Sequence, residues 1–176
     1  MSYTLADATL PQLKAALNAL TGILAKVKTH AEENSISSTT SSAGSSPRTC
    51  SPVLPSLHRL RRRRQVRRPL LRRRTPVYSR DDTNSFPAFE ALIAQAKAAV
   101  EGADAALIAA NADTEVPVNL GPDRKVNMAA KGYAEGYTLP NVYFHLMTTY
   151  SIARSKGVPL GKMDYLVPFI GKWVGM

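Results

Sequence analysis

Asn141, His145 and Thr149 stand four residues apart, so on a helix they form a polar ladder along one face. An imidazole in the middle of such a ladder can ligate a metal, exchange a proton or hydrogen-bond structurally. Tyr150 lies next to it. Tyr133, Tyr137 and Tyr143 could add hydroxyls around a pocket between helices, where bundles place their sites. The same spacing also suits plain aromatic packing, which is the better reading for these rings. The histidine candidates for a metal are His30 and His145, and two histidines leave too few ligands for a closed or catalytic zinc site. No metal site or cofactor is therefore assigned, and His145 is expected to hydrogen-bond rather than ligate. The single cysteine, Cys50, excludes an intrachain disulfide and any cysteine-cluster zinc site. No nucleophile elbow, phosphate loop or paired-carboxylate constellation is present, so the chain does not declare itself an enzyme.

These residues need elements to hold them. Residues 5–33 read as one helix whose seam is Leu10, Leu13, Leu17, Leu20, Leu24 and Val27. A second helix is predicted over 85–110, with Ser85 as N-cap, Pro87 in the first turn and the seam Phe86, Phe89, Ile93, Ala96, Val100, Ala103, Leu107 running on past Gly102. Residues 115–127 alternate Val116, Val118 and Leu120 around Gly121-Pro122, which reads as a short β-hairpin or extended loop. A third helix covers 139–156, with Pro140 in its first turn and Gly157 before Val158-Pro159 as its stop. Tyr165, Phe169 and Trp173 in the tail would then cover the bundle end. Three helices with heptad seams call for a fourth wall, because antiparallel bundles most often close with four. The place left for it by chain order is 35–80.

That segment is unlike the rest. The chain has 176 residues and a formal net charge of +10. Yet 12 of its 14 arginines fall in 35–80, ten of them between Arg59 and Arg74, with no lysine and no acidic residue among them. Outside it, lysine outnumbers arginine nine to two and the net charge is −2. A Ser/Thr-rich opening followed by an arginine run, with no apolar period, predicts an irregular, loosely packed stretch. A genuine run would bind nucleic acid through phosphate neutralisation, although no aromatic residue interleaves it for base stacking. No apolar stretch is long enough to span a bilayer and the first residues do not look like a secretory leader, so the expectation is a cytoplasmic chain without membrane partners. A small molecule or a second copy of the chain is the partner class left open.

Residues 139–166 carry a resemblance: Pro140-Asn141, Tyr143-Phe144-His145, Thr149-Tyr150, Gly157-Val158-Pro159-Leu160-Gly161-Lys162 and Asp164-Tyr165-Leu166. With His30-Ala31 at the end of the first helix, they resemble an uncharacterised-domain family of small bacterial and fungal proteins grouped with the DinB/YfiT-like four-helix bundles. The resemblance implies an all-α, up-down four-helix bundle and a molecular function not yet defined. It also raises a metal-dependent transferase or hydrolase as the alternative, since the wider group often binds a divalent metal through three histidines. Asn141 stands where a His-x-x-x-His pair with His145 would need its first histidine. The family further implies a Leu-Ala-Pro-Asp-Met-Leu-Pro stretch before the second helix, which is absent. Ser46-Pro47-Arg48-Thr49-Cys50-Ser51-Pro52, read one frame away from suitable codons, yields Ala-Pro-Asp-Met-Leu-Pro. Residues 35–80 are therefore read as an out-of-frame second helix, flanked by the first bundle helix in 1–34 and the remaining helices in 81–176.

Overall fold

The computed structural model describes residues 2–35, 85–119 and 124–175. The expectations for residues 36–80, with Cys50 and the arginine run, lie outside the described residues.

Helix α1 spans Leu5–Glu33. It starts at a reciprocal cap: the Thr4 hydroxyl accepts from the Asp7 N–H at 3.2 Å, and the Asp7 carboxylate accepts from the Thr4 N–H at 2.9 Å. The Thr4 hydroxyl also donates to the Asp7 carboxylate at 2.6 Å, and this bond first, then the one from the Thr4 N–H, holds the Asp7 carboxyl below its ordinary range. The most deeply buried face is an alanine-rich stripe, Ala6, Thr9, Ala15, Ala16, Ala19, Leu20 and Ile23, which shares Leu20 with the leucine seam. Leu17, Leu24 and Val27 flank it, half-buried. The stripe is broad because α1 is packed against by three other long helices.

Helix α2 runs Phe86–Glu101 from its N-cap Ser85, whose hydroxyl accepts from the Ala88 N–H at 3.4 Å. It ends at Gly102, and a separate short helix, α3, covers Ala105–Ala110. The single helix predicted over 85–110 is thus broken. Glycine weakens the helix there, and the Asp104 side chain accepts the Leu107 N–H at 3.0 Å, which starts a new helix instead of continuing the old one. The hairpin follows as expected. Strand β1, Glu115–Asn119, pairs antiparallel with β2, Lys125–Ala129, in the register Val116↔Met128 and Val118↔Val126.

From β2 the chain enters one long helical run. Helix α4 covers Ala130–Tyr133, a π-helical turn covers Ala134–Thr138, and α5 covers Leu139–Ser155. Pro140 explains the π-turn. In an unbroken α-helix its ring would strike the Gly136 carbonyl and its missing N–H would leave that carbonyl unmatched. The wider turn, in which the Leu139 N–H reaches the Ala134 carbonyl, relieves the clash. Gly157 then stops α5 with φ +85°, in the left-handed region that favours glycine.

The tail is not a cap over the bundle end. Residues Lys162–Val174 form helix α6, which packs along α1 as the fourth wall among the described residues. Tyr165 and Phe169 join the core, whereas Trp173 is 71% exposed and covers nothing. Side-chain pairs fix the directions. Lys28–Glu90 and Lys14–Glu101 run α2 antiparallel to α1. Gln12–Tyr143 at one level and His30 against Gly157 at another run α5 parallel to α1. Lys26–Asp164 with Tyr143–Phe169 runs α6 antiparallel to both. Among the described residues the order of the long helices is up-down-up-down, closed over Ile23, Leu20, Phe89, Ile93, Leu146, Tyr150, Ala153 and Leu160. No helix among the described residues is long and apolar enough to cross a membrane.

Candidate functional site

The ladder read from the sequence lies on α5 as expected. His145 and Thr149 are buried, at 9% and 5% exposure, and Asn141 is half-buried. Two of its three rungs are tied to their own helix. The Thr149 hydroxyl donates to the His145 carbonyl at 2.8 Å. The Asn141 amide donates to the Tyr137 carbonyl at 2.7 Å. That bond reaches one turn back along the helix, as the Thr149 bond does. The His145 ring meets Phe144 edge-on, with centroids 5.2 Å apart.

Tyr150 opens onto a ring cluster between α5 and α6. Its ring meets Tyr165 edge-on at 6.5 Å; Tyr165 stacks on Phe169 at 5.5 Å; Phe169 meets Tyr143 edge-on at 6.0 Å. The Tyr150 hydroxyl accepts from Arg154 at 3.3 Å, and the Tyr143 hydroxyl donates to the Gln12 side-chain carbonyl at 3.0 Å. Burial pushes the Tyr143 and Tyr165 phenols above their ordinary range, Tyr143 with a further contribution from Tyr165. A phenol pushed upward is not set up as a base. Tyr133, at the end of α4, and Tyr137, within the π-turn, stack on each other at 5.4 Å. Gln12 and Arg154 are the members that the sequence reading missed. Gln12 carries no local signal, because its partner lies on another helix; Arg154 stands one turn after Tyr150 and was legible in principle.

The two histidine candidates do not come together. His30 packs against Gly157, with its Nε2 3.8 Å from where a Cβ would stand, and His145 lies twelve positions earlier along the same helix direction. That separates them by about 18 Å along the axis, when two ligands of one zinc each sit about 2 Å from it. Among the described residues, no three of His, Cys, Asp and Glu gather as a metal-binding group.

An up-down-up-down bundle with a hairpin between its second and third long helices places the molecule among bundles of the DinB kind. The crystal structure of a DinB family member protein from Shewanella denitrificans superposes with a TM-score of 0.65, over 92% of this chain and 91% of that one, at 21% identity. At that identity the likeness is one of fold. The family profile of a domain of unknown function, DUF1993, matches residues 53–166, and the chain belongs to that family. The match runs through the arginine segment and ends inside α6, leaving α1 outside it. No curated protein matches the sequence.

Proposed function

We propose that the protein is a small-molecule-binding scaffold, with its site on the core side of α5 around His145, Thr149 and Tyr150 and at the Tyr143–Tyr165 hydroxyls beside them. The observation that carries this reading is a buried imidazole, His145, on the same helix as Tyr143 and Tyr150 of a ring cluster with polar edges. Such a mixture of apolar walls and a few placed polar groups suits an uncharged or weakly polar organic ligand. The separation of His30 from His145 speaks against the metal-dependent transferase or hydrolase reading. Native mass spectrometry of the purified protein tests both. A one-to-one organic adduct, lost in His145→Leu while the variant still unfolds cooperatively, is the expected result. Stoichiometric zinc or nickel retained through dialysis and lost on His145→Ala would overturn it in favour of the metal reading.

A further inference from the structure

We draw no further inference here: the strongest candidate, the surface patch on α5 where Phe144 and Met147 stand 65% and 46% exposed, has nothing in the structure to show what covers it.

Discussion

Replacing Asp164 by alanine should loosen α6 from the bundle without touching the core. One carboxylate oxygen accepts the Gly161 N–H at 2.8 Å at the start of the helix, and the other meets Lys26 of α1 at 2.8 Å. The cap contributes about 1 kcal/mol. The ion pair contributes less, about 0.5 kcal/mol, because the Lys26 side chain is 47% exposed and water screens it. Losing both, about 1.5 kcal/mol, should lower the melting temperature by about 3–6 °C for a chain of this size. The pair and the cap also set a pH dependence. Lys26 first, then the Gly161 N–H, hold the folded Asp164 carboxyl below its ordinary value. Its contribution is therefore complete above the unfolded value of about 4 and is lost as pH falls through the lowered folded value. Thermal unfolding followed by circular dichroism at pH 7 and pH 3 reads this for the wild type, Asp164→Ala, Asp164→Asn, Lys26→Met and the Lys26→Met/Asp164→Asn pair. Asp164→Asn should keep part of the cap, lose the coupling to Lys26 and show a smaller drop between the two pH values. Equal melting of wild type and Asp164→Ala at pH 7 would refute the anchoring role. Strict additivity of the Lys26 and Asp164 changes would refute the ion pair.

Three further outcomes follow from the same structure. Ile23→Ala, at a site with 0% exposure in the middle of the core, should cost about 2–5 kcal/mol in chemical denaturation, and a smaller loss would mean that the surrounding helices collapse onto the gap. Gly157→Ala should cost about 1–2 kcal/mol from its φ of +85° alone, since an added Cβ meets the His30 ring only at ordinary contact distance; unchanged stability would mean the turn can change its conformation. Sequencing the coding region for residues 34–81 should show that one frame shift restores an amphipathic helix with few arginines. Stop codons or another arginine-rich product in both other frames would refute the out-of-frame reading.

What was legible in the sequence was local. Ser85 before Pro87, the valine alternation around residues 121–122, and Gly157 ahead of Pro159 each announce a start, a turn or a stop within a few residues, and the structure has α2, the hairpin and the end of α5 there. The ladder of Asn141, His145 and Thr149 was legible for the same reason, since helical spacing alone puts them on one face. Gly102 was misread because apolar spacing continues through it, whereas the capping Asp104 only matters once the backbone has turned. The tail was misread because Pro168 and Gly171 punctuate it. It is a helix nonetheless, because Asp164 closes its start on the Gly161 N–H and Tyr165 and Phe169, one turn apart, pack into the core. The Gln12–Tyr143 bond joins residues 131 apart in the chain, and no local spacing can signal such a partner. The π-turn was equally hidden, because Pro140 suits the first turn of a helix as well as it suits a relieved clash inside one.

The central place of α1 has a consequence for how the molecule is made. This helix leaves the ribosome long before the elements that cover it, since its long-range partners on α5 and α6 lie at Tyr143 and Asp164. At a synthesis rate of about 5–20 residues per second, Ile23 and Leu20 wait roughly 7–28 s before α6 exists to cover their side of the bundle. Contacts of such long sequence separation also slow the closing step itself, because chain entropy must be lost before they form. During that interval α1 is a water-exposed amphipathic helix. Chaperone capture and misassociation of the nascent chain should therefore concentrate on its N-terminal thirty residues, far in sequence from the residues that finally shield them.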